Sequence, residues 1–187
     1  DPVAGVLEVL ALAARGYGLD RAEFLGRAST FVHGTTRAIN AILTGNTAKT
    51  AFLTTAGHPD VLVIREGGRI EPFNFTVPYP SPYVPRRLTF EVPGRIDAQG
   101  REVEPLDEAS VVAIAGRLAE LDVAAVGVCL LWSVVNGAHE RRVGELLAEH
   151  LPGVAVTLSH VLNPTMREYR RASATVIDAS LKPLMYA

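Results

Sequence analysis

The chain has 187 residues, of which 48% are hydrophobic, enough for one domain with a sizeable core. Its 18 basic and 20 acidic side chains give a formal net charge of -2, so no strong field attracts nucleic acid or an anionic membrane, and a small-molecule partner is favoured. The single cysteine, Cys129, lies in an apolar run, which excludes a disulfide scaffold or a zinc cluster and predicts a buried thiol. Because no apolar stretch reaches membrane-spanning length and no targeting segment is visible, we expect a cytoplasmic piece of a longer protein.

The first third of the chain predicts short helices and strands separated by glycines. The predicted elements are, in order, a helix over residues 2–14, a helix capped by Asp20 and Glu23, a strand ending at His33, a helix from Thr36 to Thr44 and a strand over residues 49–55. Residues 58–66 suit either a buried strand or a helix, and Pro59 with Asp60 favours the helix.

The region from residue 72 to residue 106 predicts an insertion. Residues 72–85 are dense in proline, which removes backbone donors and predicts an extended connector. Residues 88–92 and 102–104 alternate around a turn at residues 97–100, and together they predict a β-hairpin. We expect this hairpin to be an appendage.

The second half of the chain predicts α/β units. Asp107 caps a helix, and the elements that follow are a buried strand over Val123–Leu131, a helix over Asn136–His150, a strand over residues 154–158 and a helix over residues 163–181. A strand, a helix and a strand in succession predict a right-handed parallel crossover. On the last helix, Glu168, Arg171 and Thr175 share one face.

His33, Gly34, Thr35 and Thr36 form the first candidate site, since small and hydroxyl-bearing residues here follow an apolar run where a helix begins. In open α/β sheets ligands bind at the carboxyl ends of strands, and backbone N–H groups at a helix start can hold an anion. The alternative is a helix cap beside a packed histidine. These four residues alone leave both interpretations open.

The chain also resembles a known family. The matching segments are His33-Gly34-Thr35-Thr36 with Asn40; Thr54-Thr55-Ala56-Gly57 with Asp60-Val61-Leu62; Pro85-Arg86-Arg87 with Glu91-Val92; Glu104-Pro105-Leu106-Asp107; Asn136 with His139-Glu140-Arg141-Arg142; and Arg167-Glu168-Tyr169 with Arg171 and Ser173. In order and spacing they resemble the N-terminal region of the hydantoinase A/5-oxoprolinase/acetone carboxylase group, over residues 2–185.

The resemblance implies a ribonuclease-H-like fold of the actin and sugar-kinase ATPase type, with three layers, of which this chain would be part of the first domain. It implies ATP as cofactor, with Mg²⁺ brought by the nucleotide, and a cyclic amide such as a hydantoin or 5-oxoproline as substrate. ATP would phosphorylate the ring amide so that water can open the lactam. The related ketone carboxylases are the alternative, and a second subunit is the expected partner. The Asp-Gly-Gly-Thr-type phosphate loop of the family is absent from these residues.

Residue roles follow from that resemblance. Gly34, Thr35 and Thr36 are predicted to shape the nucleotide or substrate pocket, and His33 is a candidate general base that Asn40 would orient. The competing interpretations are a cap and a structural histidine.

At the other end of the chain, Glu168 is a candidate catalytic group and Arg171 a candidate pocket residue, or the two form an ion pair that ties the last helix to the sheet. His139 and His150 are expected to be solvated, and the scattered histidines predict no metal site. A different class of hypothesis is that the apolar ends and the proline-rich connector dock a partner and that the isolated chain catalyses nothing.

Overall fold

A parallel β-sheet with helices packed on it organises most of this chain. The computed structural model describes residues 2–32, 36–67, 71 and 73–185. Contacts between Cα atoms divide the chain at Thr36 and Arg37 into a small N-terminal unit and a larger unit. Within the described ranges, no helix is both long and apolar enough to cross a membrane.

The small unit holds two helices, α1 (Pro2–Gly16) and α2 (Arg21–Gly26), both predicted from the sequence. The Asp20 side chain caps α2 by accepting a hydrogen bond of 2.8 Å from the Glu23 N–H. The predicted strand ending at His33 is wrong over its described part, since residues 27–32 form no strand. A strand needs a hydrogen-bonded neighbour to be stable, and an apolar run does not supply one.

The larger unit contains the remaining elements. Its strands are β1 (Thr50–Thr55), β2 (Thr89–Val92), β3 (Arg95–Ile96), β4 (Glu102–Glu104), β5 (Ala125–Cys129) and β6 (Ala155–Leu158). Its helices are α3 (Arg37–Leu43), α4 (Val61–Ile64), α5 (Glu108–Glu120), α6 (Ala138–His150), α7 (Ser159–Leu162) and α8 (Glu168–Met185), and a 3₁₀ turn spans Arg86–Leu88.

Four strands form one parallel sheet in the order β2-β1-β5-β6. Leu53 is opposite both Phe90 and Val128, which fixes the register across the first three strands. All five residues of β5 are buried, and alternate side chains of a strand point to opposite faces, so both faces of the sheet are covered here. The predicted crossover through α6 is confirmed by the parallel pairing of β5 with β6.

The predicted pairing of residues 88–92 with residues 102–104 is wrong. β2 is an edge strand of the main sheet and pairs in parallel with β1. The hairpin is instead β3 with β4, and its turn is held by Asp97, whose Oδ1 accepts from the Gln99 and Arg101 N–H groups at 2.9 Å. Alternation in residues 88–92 indicates a strand but does not identify its partner.

The long C-terminal helix α8 lies directly against the sheet. Its Val176 approaches β5 at Gly127, where an added Cβ would lie 3.2 Å from the Val176 Cα. The helix begins at Glu168 rather than at the predicted residue 163, since Pro164 disfavours helical backbone at the residue before it. Helix α4 confirms the favoured interpretation of residues 58–66, and the described proline-rich residues 73–85 form neither helix nor strand.

Candidate functional site

A cleft opens at the carboxyl ends of β1 and β5. Its volume is about 540 Å³, within the range that ligand pockets occupy. The floor is formed by strand ends, and the walls come from the loop before α4, from α4 itself and from the start of α8. The lining residues are Thr54, Gly57, His58, Pro59, Asp60, Val61, Ile64, Arg65, Glu66, Cys129, Leu131, Met166, Arg167, Glu168 and Tyr169. Ligands of parallel α/β sheets bind at this edge.

The loop between β1 and α4 is held by hydrogen bonds that use its backbone donors. The Gly57 N–H donates to Glu91 Oε2 at 2.7 Å, and the His58 N–H donates to the Thr55 carbonyl at 3.0 Å. The His58 ring accepts from Arg95 Nη1 at 3.2 Å. Gly57 has a φ of +85°, which a residue with a side chain adopts at a cost. This wall is therefore fixed before any ligand binds.

Most charged groups of the cleft wall are already paired. Asp60 lies 3.3 Å from Arg86, and Glu66 accepts from Arg170 at 2.5 Å. The hydrogen bond from Arg170 lowers the pKa of Glu66 below its ordinary value. Arg167 is 3.9 Å from the same Glu66 carboxylate. Arg65, which also lines the cleft, makes no ion pair and no side-chain hydrogen bond within the described residues, so its positive charge is uncompensated.

Four polar side chains of the cleft have no hydrogen-bond or ion-pair partner within the described part of the chain: Thr54, Arg65, Glu168 and Tyr169. No hydrogen bond engages the Thr54 hydroxyl, although Thr54 is buried and its neighbour Thr55 accepts from the Leu131 N–H at 3.0 Å. Glu168, half-buried at the first turn of α8, makes neither an ion pair nor a side-chain hydrogen bond. A hydroxyl donor and a carboxylate acceptor thus remain available in the cleft.

Behind the floor lies a buried polar network centred on Arg171. This guanidinium is fully buried and donates to Ser159 Oγ at 3.0 Å, to the Leu130 carbonyl at 2.7 Å and to the Thr165 carbonyl at 2.9 Å. Its three contacts join the end of β5, the start of α7 and the segment before α8. Arg171 therefore positions the elements around the cleft.

Glu140 completes this network from α6. One carboxylate oxygen accepts from the Leu130 N–H at 2.8 Å and from Ser159 Oγ at 2.5 Å, and the other accepts from the His160 N–H at 3.0 Å and the His160 ring at 2.6 Å. Burial raises the pKa of Glu140, but the hydrogen bonds from His160, Ser159 and the Leu130 backbone outweigh burial, so its pKa lies below the ordinary value. The carboxylate is held charged.

The thiol of Cys129 lines the cleft floor but is not reactive. Burial raises its pKa to about 11, with Arg171 as an opposing influence, so the thiol stays protonated near neutral pH. The prediction of a buried structural cysteine is confirmed.

The structure describes some of the predicted site residues and not others. His33, Gly34 and Thr35 lie outside the described residues, while Thr36 is exposed at the end of the small unit and Asn40 is exposed on α3. The structure thus leaves the His33–Thr36 site a prediction, together with the orienting role of Asn40.

Glu168 lines the cleft, and its catalytic role stays a prediction, but the predicted ion pair with Arg171 is wrong. Among the ion pairs of the described ranges none joins these two side chains, because Arg171 turns inward to the carbonyl groups of Leu130 and Thr165. His139 is also buried rather than solvated, and its Nε2 lies 3.7 Å from Glu102. Across the described parts of the chain no three His, Cys, Asp or Glu side chains are grouped to hold a metal ion.

Sequence reasoning missed the Glu140 network and the Thr54 hydroxyl. A signal for Glu140 existed, since it falls on the apolar stripe of α6 with Val143 and Leu147, where an acidic side chain requires a buried partner. Nothing in the sequence distinguishes Thr54 from Thr55. Which of two adjacent strand threonines faces a ligand depends on the contacts of each face.

Comparison with known proteins supports the family resemblance. Residues 1–151 match the family described as the hydantoinase/oxoprolinase N-terminal region. The caprolactamase subunit alpha of Pseudomonas jessenii is 36% identical over 99% of this chain and 27% of its own length. The acetophenone carboxylase gamma subunit of Aromatoleum aromaticum is 34% identical over 99% of this chain and 27% of its own length.

A solved structure agrees with these sequence matches. The crystal structure of ATP-dependent caprolactamase from Pseudomonas jessenii superposes with a TM-score of 0.85 and 37% identity, over 97% of this chain and 26% of that one. The chain spans about a quarter of the length of these relatives. With the sequence match covering most of its residues, the chain belongs to the hydantoinase/oxoprolinase N-terminal region family.

Proposed function

We propose that this chain is part of an ATP-dependent enzyme that opens a cyclic amide, and that its sheet belongs to a ribonuclease-H-like fold of the actin-type ATPases. The observation that carries the proposal is the cleft at the ends of β1 and β5, with apolar walls and an unpartnered hydroxyl and carboxylate. Pockets of this kind suit a small, largely apolar molecule with a few polar atoms. The similarity to the caprolactamase subunit alpha supports a lactam as that molecule.

ATP fits this cleft poorly. A triphosphate is usually held by several free backbone N–H groups together with uncompensated positive charge. Gly57 and His58 use their N–H groups within the loop and Arg167 lies beside Glu66, which leaves Arg65 as the lining cation without a partner in the described residues. We propose that ATP, with Mg²⁺ on its phosphates, is bound instead by the segment from Gly34 to Thr36 and by a phosphate loop elsewhere in the full-length protein.

The reaction class is tested with the full-length protein and its partner subunit. Lactam-dependent release of ADP, with the ring-opened amino acid formed in equal amount, is the expected result. The second candidate is ATP-dependent carboxylation of a ketone, which the 34% identity to the acetophenone carboxylase gamma subunit supports. ADP release that requires a ketone and bicarbonate, and not a lactam, would establish that candidate and refute the hydrolase.

The nucleotide segment is tested by His33→Ala and Thr35→Val in the same full-length protein. We expect both variants to lower substrate-dependent ATP hydrolysis at least tenfold while leaving the thermal unfolding midpoint unchanged, since hydroxyl and imidazole donors near a phosphoryl group act on the transition state. Normal turnover in both variants would remove His33 and Thr35 from the site.

An assembly role is a further proposal, because two phenylalanines protrude from the proline-rich region. Phe73 is 93% exposed and Phe75 is 78% exposed, on a turn in which Asn74 Oδ1 accepts from the Thr76 N–H at 3.1 Å. Exposed aromatic side chains of this kind are typical anchors of protein interfaces. We propose that they dock a second subunit of the enzyme.

The assembly proposal is tested by co-purification of the partner subunit with the F73S/F75S double variant. We expect the double variant to lose the partner and Val161→Ser, at another exposed apolar residue, to retain it. Full retention by the double variant would contradict the docking role.

A further inference from the structure

Two hydrogen-bonding groups of the cleft, the Thr54 hydroxyl and the Glu168 carboxylate, have no partner in the described residues. Two buried threonines of the described sheet use their hydroxyls within the protein: Thr50 donates to the Ala48 carbonyl and Thr157 donates to Asp178, both at 2.7 Å. The hydroxyls of the buried Thr54 and Thr89 have no partner in the described residues, and of these two threonines Thr54 lines the cleft. The Thr54 hydroxyl is not fully enclosed by protein, so it can donate a hydrogen bond to a ligand in the cleft.

Glu168 is the second member of the pair. The other carboxylates of the wall, Asp60 and Glu66, are neutralised by arginines, whereas Glu168 has no such partner within the described ranges. Its position is fixed indirectly, because Arg171 one turn later on α8 is held by three buried hydrogen bonds. The carboxylate is thus placed at the cleft on a rigid element.

The remaining lining favours a ring of methylene groups. Pro59, Val61, Ile64, Leu131 and Met166 supply apolar surface, Asp60 and Glu66 are paired with arginines, and Arg65 and Glu168 leave one unpaired charge of each sign in the described lining. A mainly hydrocarbon molecule gains from the apolar surface, whereas a polyphosphate needs more donors than one arginine to replace its hydration. This lining favours the organic substrate over the nucleotide.

We propose that this cleft binds the lactam itself, with the Thr54 hydroxyl donating to the ring carbonyl and the Glu168 carboxylate accepting from the ring N–H. Small rings hold the amide in the cis form, so the carbonyl and the N–H lie along the same edge and require one donor and one acceptor side by side. This inference rests on the proposed cyclic-amide function. It assigns Thr54 as the donor to the carbonyl and Glu168 as the residue that distinguishes a lactam from a ketone, which has no N–H.

The test uses the full-length protein with its partner subunit, Mg-ATP, and two pairs of probes. The probes are 2-pyrrolidinone and caprolactam, each compared with its N-methyl derivative, which keeps the carbonyl and lacks the N–H. Calorimetric binding of each probe without ATP is measured beside the KM values for the probe and for ATP. Thr54→Val removes the hydroxyl at nearly constant volume, and Glu168→Leu removes the carboxylate.

Each variant has its own expected signature. Thr54→Val should weaken binding of both the N–H and the N-methyl lactam about tenfold, the effect of one lost hydrogen bond to a buried group. Glu168→Leu should weaken binding of the N–H lactam alone, by about tenfold or more. The ratio of the two dissociation constants, N-methyl lactam over N–H lactam, should then fall to near one. The KM for ATP should stay unchanged in both variants.

Matched controls use the same residue types away from the cleft. Thr89→Val changes a buried threonine of β2, and Glu149→Gln changes an exposed glutamate of α6; neither should alter lactam binding. A raised KM for ATP with unchanged lactam binding, or a retained N–H preference in Glu168→Leu, would overturn the inference while leaving the hydrolase proposal standing. A wild-type enzyme that neither binds nor opens either lactam would overturn the proposed function and the inference with it.

Discussion

At the scale of single residues, the polar network behind the cleft is the feature on which the rest of the site depends. Arg171 and Glu140 are both fully buried and are linked through Ser159, so two opposite charges share one hydroxyl in the interior. Such charges are tolerated because every contact is a hydrogen bond to a group that would otherwise be unsatisfied. Burying these charges costs some folding free energy, and the hydrogen bonds they make fix the positions of the strand ends.

Arg171→Met is expected to destabilise the fold by about 3–5 kcal/mol, because it leaves the Leu130 and Thr165 carbonyls without a donor and removes the cation near Glu140. Arg142→Met is the matched control, since Arg142 forms exposed ion pairs with Glu108 and Glu145. Its effect should stay below about 1 kcal/mol. Chemical denaturation of both variants measures the difference, and equal effects would contradict the structural role of Arg171.

The pH dependence of stability should carry the signature of Glu140. Its pKa in the folded protein is lowered below the ordinary value of 4.5, so the carboxylate contributes stability that is fully present above that pH and is lost as the pH falls through the folded pKa. In Glu140→Gln this contribution is absent. The difference in unfolding free energy between wild type and variant should therefore shrink as the pH is lowered below about 4.5. A difference that stays constant into acid would show that Glu140 is not held charged.

Of the residues that line the cleft, Glu168 was named from the sequence as a site candidate. Glu168 was predicted as a functional candidate and lies in the cleft, but its ion pair with Arg171 was not formed, because helical spacing shows which side chains share a face and not which way each one turns. His139 was expected to be exposed to solvent on α6, but it belongs to the buried face of that helix. Long-range hydrogen bonds such as those from Arg171 to Leu130 depend on tertiary packing.

At the scale of elements, the contact between α8 and β5 determines how closely the last helix lies on the sheet. Gly127 has no side chain at this contact, and a Cβ there would lie 3.1 Å from Val176 Cγ1 and 3.2 Å from the Val176 Cα. These distances are tighter than ordinary packing, so the helix backbone would have to move. The same helix carries Glu168 and Arg171, and its displacement would disturb the cleft.

Gly127→Ala is therefore expected to destabilise the protein by about 1–3 kcal/mol, the usual effect of overpacking a core. Gly116→Ala is the matched control, because Gly116 lies in α5 with no atom near its missing Cβ. There alanine should stabilise by about 0.5–1 kcal/mol through helix propensity. Thermal unfolding of the two variants provides the measurement, and stabilisation by Gly127→Ala would show that the helix adjusts freely.

The elements themselves were largely predictable from periodicity and caps. Asp107 caps α5 as predicted, with its side chain accepting from the Ser110 N–H, and β1, β5 and β6 lie within or at the expected segments. The error concerned β2, which was predicted to belong to an appended hairpin. Local alternation of apolar and polar residues identifies a strand. The strand it pairs with depends on the long-range packing of the sheet, which the sequence of a four-residue segment does not reveal.

At the scale of the whole molecule, we propose that the chain supplies part of an enzyme. It belongs to the hydantoinase/oxoprolinase N-terminal region family and spans about a quarter of the length of its relatives. We propose that this cleft binds the organic substrate. The nucleotide would bind to the segment from Gly34 to Thr36 together with residues elsewhere in the full-length protein. Substrate and ATP then meet only when the parts of the enzyme are assembled.

The most direct measurement is a crystal structure of the full-length protein with its partner subunit, grown with a lactam and a non-hydrolysable ATP analogue. We expect lactam density between β1 and α8, with the ring carbonyl within hydrogen-bonding distance of Thr54 Oγ1 and the ring N–H beside Glu168, and the nucleotide outside this cleft. Nucleotide density in the cleft, or a lactam bound away from Thr54 and Glu168, would contradict it.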